Sequence, residues 1–147
     1  MQKKYELIEH TADIGIRVKG GDLKELFKNS ALAMFDIIAE KKTENRSPCL
    51  LAGESQVKRL VIGQKADNLE ELFVNWLNDL LSLSSAKELI FCDFRIDKLT
   101  DNKLEARVCG QGFQDYKVNV EIKAATYHQL KIEQKGSLWQ AEVIFDV

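Results

Sequence analysis

Hydrophobic periodicity divides the first part of the chain into a strand and a long helix. Ile14, Ile16 and Val18 alternate with small or polar residues, which predicts a strand with one solvated face. Asp22 lies three residues before Glu25, the spacing of a helix cap and its reciprocal partner. The helix should extend to about residue 40, because apolar side chains follow at helical spacing: Leu23, Leu26, Phe27, Ala31, Met34, Phe35 and Ile38.

A second strand and helix repeat this layout. A strand is predicted around residues 57–62, and Asp67 and Glu70 reproduce the cap spacing. The second apolar stripe comprises Leu69, Leu72, Phe73, Trp76, Leu77, Leu80 and Leu81. The polar segment 41–48, which contains the only proline, is the predicted loop between the two units. Because the two layouts are similar, a duplicated β-α-β unit is one interpretation.

The remainder of the chain consists of short alternating runs that are typical of strands. Five strands are predicted, at residues 89–96, 104–109, 117–122, 127–132 and 138–145. Turn-forming residues separate them at 100–102, 110–112 and 134–136. Helices early in the chain and strands late in it favour an α+β fold. We therefore predict a single domain of residues 1–147, with two long helices packed on a mixed, largely antiparallel sheet.

Composition and charge exclude several classes of protein. The 147 residues are 45% hydrophobic, which is enough for one ordinary core. Lys and Arg number 21 against 23 for Asp and Glu, and the net charge of -2 disfavours strong autonomous nucleic-acid binding. The sequence shows neither an export signal nor a membrane-spanning run, so a cytoplasmic protein is expected. Cys49, Cys92 and Cys109 match no disulfide framework or zinc spacing, and we expect reduced, structural thiols.

Residues that could act as catalysts are few. There is no phosphate-binding glycine loop, nucleophile elbow or zinc motif. His10 and Asp13 could orient each other, but a general base would need a nucleophile such as Thr11 or Ser30 beside it. The alternative is that His10 and Thr11 form a turn in which Asp13 makes local backbone bonds. We predict no catalytic residue.

The last strand indicates a different kind of site. Its alternation continues to Asp146, so the main-chain carboxylate of Val147 is expected to be held in place. Asp13, Asp146 and this terminal carboxylate would together offer only oxygen ligands, which hard cations prefer. A cation would also relieve the repulsion between three like charges. The alternative is that Asp146 is a solvated residue at a frayed end.

Four segments of the chain resemble the archease family. They are residues 10–16 (HTADIGI), 68–81 (NLEELFVNWLNDLL), 121–128 (EIKAATYH), and Trp139 with residues 143–147 (VIFDV). The resemblance spans essentially the whole chain. It implies an accessory protein, not an enzyme, that activates the RtcB-type RNA ligase of tRNA splicing and RNA repair. Such a protein promotes guanylylation of the ligase, allows multiple turnover and broadens nucleotide use.

The resemblance also implies where the functional residues lie. It places a divalent cation, which could be calcium, magnesium or manganese, on Asp13, Asp146 and Val147. The family's helix is usually more acidic than the amide-rich segment 75–79 of this chain, so we assign no ligand to that helix.

Partner contact is assigned to a second set of residues. The alternation of the strand pattern breaks at residues 123–126, which predicts a bulge that re-aims Lys123, Tyr127 and His128 toward a partner. His10 and Thr11 are further candidates. The alternative for the first three is an amphipathic edge strand with a half-buried tyrosine.

Three other functions remain open at this point. The family is also linked to a chaperone-like role toward other RNA-modifying enzymes, including a tRNA methyltransferase. A metal-dependent hydrolase could use the same cation for phosphate chemistry, although the missing nucleophile and phosphate loop argue against it. In a purely structural binding module, the carboxylates would only fasten the last strand to the first.

Overall fold

The computed structural model describes residues 5–8, 13–42 and 57–147. Two long helices lie within them, α1 (Leu23–Ile38) and α2 (Leu69–Lys87). The strands are β1 (Tyr5–Ile8), β2 (Ile14–Gly20), β3 (Ala39–Lys41), β4 (Lys58–Lys65), β5 (Leu89–Leu99), β6 (Lys103–Gly112), β7 (Tyr116–Val118), β8 (Ala124–Lys135) and β9 (Leu138–Asp146). His10, Thr11 and Cys49 lie outside the described residues.

The strands form three antiparallel sheets. The largest has the order β1-β2-β9-β8, the second has the order β4-β6-β5, and β3 pairs with β7. Both helices pack on these sheets around one hydrophobic core, which confirms the predicted α+β class and the antiparallel pairing. The two β-α-β units place their strands differently, because β2 and β3 join different sheets whereas β4 and β5 flank β6.

Helix α1 begins at the predicted cap. The Asp22 carboxylate accepts a hydrogen bond from the Glu25 N–H at 2.8 Å, and the Glu25 carboxylate accepts one from the Gly21 N–H at 3.3 Å. Gly20 brings β2 against this end of the helix, since a Cβ there would lie 2.5 Å from the Leu26 nitrogen. The end of β2 therefore fixes the start of α1.

Helix α2 begins one residue later than predicted. Asn68, not Asp67, is the cap, and its side chain accepts the Glu71 N–H at 2.8 Å. Both residues can act as caps, so spacing alone does not decide between them. Glu88 ends the helix in the left-handed conformation with φ 54°.

Aromatic side chains join the two helices in the core. The fully buried Trp76 donates its indole N–H to the Phe27 carbonyl oxygen at 3.0 Å. Phe27 and Phe73 meet edge to face with ring centroids 5.1 Å apart. No helix in the described part of the chain is long and apolar enough to cross a membrane.

Two strand predictions require correction. Residues 110–112, predicted as a turn, lie inside β6, because Gly110 pairs with Lys58 on one side and Phe91 on the other. A Cβ at Gly110 would lie 2.7 Å from the Ile90 carbonyl oxygen, so the glycine serves close strand packing instead of a turn. The strand predicted at 117–122 is only Tyr116–Val118.

The expectation of reduced cysteines is wrong for Cys109, which is disulfide-bonded. Sequence spacing does not report which sulfur atoms the fold brings within bonding distance. The Cys92 thiol donates instead to the Cys109 carbonyl oxygen, at an S···O distance of 3.5 Å.

Candidate functional site

Asp13 and Asp146 lie at the same end of the β2–β9 pair. The ladder ends at the pair Ile14 and Phe145, and Asp13 and Asp146 are the next residues on the two segments, just beyond it. Phe145 points into the core, and Asp146 is exposed on the opposite face. The fold thus brings together two carboxylates that are more than 130 positions apart in sequence.

The end of β9 is held, as the sequence predicted. Strand β9 continues to Asp146, whose carbonyl oxygen accepts the Lys123 N–H at 2.8 Å. The Val147 side chain is partly buried against the core, which fixes the position of the last residue. We call Asp13, Asp146 and the Val147 main-chain carboxylate the acidic end.

The acidic end has the donor chemistry of a hard-cation site. All of its ligands would be carboxylate oxygens, the type that calcium, magnesium and manganese prefer. Among the described residues no group of three or more His, Cys, Asp or Glu side chains is placed to hold a metal ion. The acidic end has only two such side chains, and its third ligand would be a main-chain carboxylate.

Strand β8 carries the predicted bulge, but at a later position. Thr126 pairs with Ile144 and Lys131 pairs with Glu142, so four residues of β8 lie opposite one residue of β9. The Thr126 hydroxyl donates to the Ile144 carbonyl oxygen at 2.8 Å and accepts the His128 N–H at 3.3 Å. Gln129 has a φ of 53°, in the left-handed region. The irregularity therefore covers residues 127–130, whereas residues 124–126 are paired regularly.

This bulge exposes Tyr127 and His128. The Tyr127 side chain is 56% exposed, and His128 is also exposed. Partial burial, and then the Glu71 carboxylate, raise the pKa of the Tyr127 phenol above its ordinary value. Lys123 lies beside Asp146, directly before β8, and Tyr127 and His128 follow within that strand. Strand β8 therefore presents an exposed edge next to the acidic end.

The amide of Asn78 holds this edge, a role that the sequence did not reveal. Its Oδ1 accepts the Ala125 N–H at 2.7 Å, and its Nδ2 donates to the Ala125 carbonyl oxygen at 3.1 Å. The amide thus replaces a missing strand at the edge of the sheet. The sequence feature that could have pointed to this role is the amide-rich segment 75–79, because it contains the Asn78 amide that binds the backbone of Ala125.

Ser30 is not placed to act as a nucleophile. It is fully buried in α1, and its hydroxyl donates to the Leu26 carbonyl oxygen at 2.8 Å. The predictions for His10 and Thr11 fall on residues that the structure does not describe.

Comparisons of fold identify similar solved structures. The solution structure of Methanobacterium thermoautotrophicum protein 1598 aligns with a TM-score of 0.66 and 28% identity, covering 99% of this chain and all of that one. The crystal structure of an archease from Thermotoga maritima, described as a possible chaperone, aligns with a TM-score of 0.62 and 26% identity. That alignment covers 95% of this chain and 94% of the other.

Comparisons of sequence agree with the fold. Protein archease of Methanosarcina acetivorans is 34% identical, covering 99% of this chain and 97% of the relative. Protein archease of Thermococcus kodakarensis is 36% identical, covering 99% of both chains. Residues 5–147 match the model of the Archease protein family (MTH1598/TM1083). The chain belongs to the archease family.

Proposed function

We propose that this chain is a non-enzymatic activator of an RtcB-type RNA ligase, working in the cytoplasm. It would promote guanylylation and multiple turnover of the ligase and broaden its use of nucleotides, in tRNA splicing or RNA repair. The observation that carries the proposal is the acidic end, where Asp13 and Asp146 lie at the same end of the β2–β9 ladder beside a fixed last residue. A nucleotide-dependent ligase needs positive charge at the phosphates of its nucleotide.

The donor chemistry of the acidic end suits a divalent cation. Three carboxylates at one sheet end repel one another, and each presents only oxygen ligands. A divalent cation bound there would supply charge that can be shared with the phosphates of a nucleotide. The protein's own contribution is to hold its carboxylates on a rigid ladder, with β9 fastened to β2 on one side and to β8 on the other.

The bulge on β8 supplies the proposed contact with the ligase. Tyr127 and His128 project from an irregular segment and are exposed, whereas Lys123 lies directly beside Asp146. Exposed aromatic side chains beside charged groups are typical of partner contacts. Their position next to the acidic end would allow one docking event to engage both features.

The test is guanylylation of the cognate ligase, measured without RNA at substoichiometric activator and controlled divalent cation. The wild-type chain should stimulate the reaction, whereas Asp13→Ala and Asp146→Asn should return it to the rate of the ligase alone. Adding one glycine after Val147 changes no side chain but moves the terminal carboxylate, so it should also abolish stimulation. Asp101→Asn, in the turn between β5 and β6, is the matched control.

Full stimulation by Asp13→Ala would contradict the proposal. Loss of stimulation in proportion to a lower melting temperature would favour the structural role instead. Turnover of nucleotide or cyclic-phosphate RNA by the chain alone would show that it is an enzyme.

A chaperone-like role is the second candidate, because the Thermotoga maritima relative is described as a possible chaperone. Under this alternative the chain would modulate other RNA-modifying enzymes, such as a tRNA methyltransferase. It would then suppress aggregation of its client without any need for Asp13. Light scattering of the client with wild type and Asp13→Ala separates the two functions.

A further inference from the structure

The outer face of the sheet β4-β6-β5 carries a cluster of cations. Leu60, Val108 and Phe94 form one row across the three strands on the core side of the sheet. Side chains alternate along a strand, so the residue on either side of each of these points to the opposite, solvated face. Six exposed cations share that face, and we call them the basic face: Arg59, Lys65, Arg95, Lys98, Lys103 and Arg107. An exposed Val61, at 82%, lies in the same row as Arg107.

The basic face places like charges opposite each other twice. Arg95 pairs with Arg107 across β5 and β6, and Lys65 pairs with Lys103 across β4 and β6. Like charges at facing positions destabilise an antiparallel pair. The four-stranded sheet instead alternates the sign along one row, Glu6, Arg17, Glu142 and Lys131. The basic face therefore has an arrangement that a bound polyanion would stabilise.

Acids on the same face only partly neutralise it. Glu105 pairs with Lys103 at 3.3 Å, and the Asp97 carboxylate accepts two hydrogen bonds from Arg107 at 3.0 Å. Counting Asp93 as well, three carboxylates face six cations, which leaves three net positive charges on a chain of net charge -2. The other four cations form no hydrogen bond or ion pair with any residue that the structure describes: Arg59, Lys65, Arg95 and Lys98.

A groove of about 970 Å³ extends the basic face toward α1. Lys24 and Lys28 line it from the helix, together with Arg59, Arg95 and Arg107. Its carboxylates are held locally, because Asp22 and Glu25 form the cap of α1 and Asp93 accepts the Phe94 N–H at 3.0 Å. Asp97 engages two of these cations, Arg107 through its carboxylate and Lys24 through its carbonyl oxygen, whereas Lys28, Arg59 and Arg95 form no hydrogen bond or ion pair with the described residues.

We propose that the basic face binds the sugar-phosphate backbone of an RNA strand. Phosphates carry one charge per nucleotide whatever the sequence, which matches a surface of repeated cations. The outward-facing rows of the described sheet carry no aromatic side chain, and Phe91 and Phe94 are buried on the core side, so bases would not be read by stacking. The choice of RNA over another polyanion rests on the proposed function, since the ligase acts on RNA. Net charge, which averages over the whole chain, does not reveal such a surface.

The experiment is the salt dependence of binding to a labelled, single-stranded RNA of about ten nucleotides. Four phosphate contacts predict a log–log slope of about -3, which is a loss of about 50-fold in affinity between about 50 and 200 mM salt. The double variant Arg59→Gln/Arg95→Gln should halve the slope and reduce that loss to about sevenfold. Lys87→Gln/Lys117→Gln removes the same charge elsewhere and should retain the wild-type slope.

Two results would overturn the proposal. Equal slopes for the three proteins would show that the basic face makes no phosphate contacts. Stronger binding to poly-glutamate than to RNA would assign the face to an acidic protein segment. Arg95→Gln should keep or raise the melting temperature, because it removes a like-charge pair, so weaker binding would not reflect unfolding.

The same variants separate this inference from the proposed function. Guanylylation without RNA depends on the acidic end and the bulge on β8 and not on the basic face, so the Arg59→Gln/Arg95→Gln variant should stimulate it normally. If the wild type fails to stimulate the ligase, the proposed function is wrong. The salt dependence of RNA binding would still show whether the basic face contacts phosphates.

Discussion

The acidic end and the basic face both bring like charges together on neighbouring antiparallel segments. At the acidic end, Asp13 and Asp146 lie just beyond the last pair of the β2–β9 ladder, beside the last residue. On the basic face, Arg95 and Arg107 face each other, and Asp97 holds Arg107 through two hydrogen bonds. The first arrangement concentrates charge at one point, whereas the second spreads partly neutralised charge over a sheet.

This difference indicates which ligand each region suits. Oxygen ligands that converge on one point fit a small ion of high charge density, such as a divalent cation. Dispersed guanidinium and ammonium groups fit an extended polyanion, whose contacts are individually weak and sensitive to salt. The comparison implies that the two regions can be altered independently.

The largest expected effect is on the stability of the sheet edge beside the acidic end. Asn78→Leu removes both hydrogen bonds to Ala125, whose backbone is buried, and leaves a donor and an acceptor unsatisfied. We expect the free energy of unfolding to fall by about 2–4 kcal/mol. Urea denaturation monitored by circular dichroism measures this change.

Ser85→Ala, on an exposed position of the same helix, is the control and should have little effect. At temperatures where Asn78→Leu remains folded, its affinity for RNA should equal that of the wild type, because the basic face lies on a different sheet. An unchanged urea midpoint would show that the Asn78 contact contributes nothing to stability.

The second largest effect is the stabilisation of the fold by a divalent cation, which should depend on the acidic end and not on the basic face. A divalent cation that binds only the folded chain should stabilise it by about 2.7 kcal/mol at 100 times its dissociation constant. Asp146→Asn should lose this increase, but without cation it should be as stable as the wild type or more stable, because repulsion at the acidic end falls. Thermal unfolding with and without calcium, magnesium or manganese measures both effects.

Arg95→Gln is the matched control for this experiment and should retain the full cation-dependent shift. A shift that persists in Asp146→Asn would place the cation elsewhere. A lower melting temperature of Asp146→Asn in the absence of cation would show that this carboxylate stabilises the fold directly.

The sequence predicted the helices and their buried faces well. Both apolar stripes fall inside the core except for Leu23 and Leu69, which pack against it, and the Asp22 cap begins α1 where the spacing indicated. The predicted start of α2 is one residue too early because Asp67 and Asn68 are adjacent and chemically similar as caps. Local patterns thus fix which elements form and which faces they bury.

Long-range features could not be predicted in the same way. Asp13 and Asp146 were grouped from their chemistry, but only the register of β2 and β9 places them at the same end of one ladder. The Asn78 contact and the facing arginines depend on which elements become neighbours, and periodicity carries no information on this. The bulge was displaced for the same reason, since pairing with β9 determines where β8 becomes irregular.

The smallest expected effect concerns Asp97, the acid that partly neutralises the basic face. Its hydrogen bonds with Arg107, more than the neighbouring charges, hold the pKa of the Asp97 carboxyl below its ordinary value. The ion pair therefore stabilises the fold fully above the ordinary Asp pKa of about 3.9, and this contribution is lost as the pH falls through the lowered value. Asp97→Asn should lower the urea midpoint slightly at neutral pH and leave it unchanged in strong acid. Because the pair is exposed, the change in stability is small.

The same substitution should strengthen RNA binding, since it frees the Arg107 guanidinium and removes a negative charge from the basic face. Glu133→Gln, which removes a carboxylate near Lys131 and Lys135 on the other sheet, is the matched control and should leave RNA affinity unchanged. Stability and binding would then move in opposite directions at Asp97, as expected where a carboxylate neutralises a surface that an anion could occupy. Weaker RNA binding by Asp97→Asn would mean that Asp97 positions Arg107 for the ligand, and the view of a partly neutralised surface would be wrong.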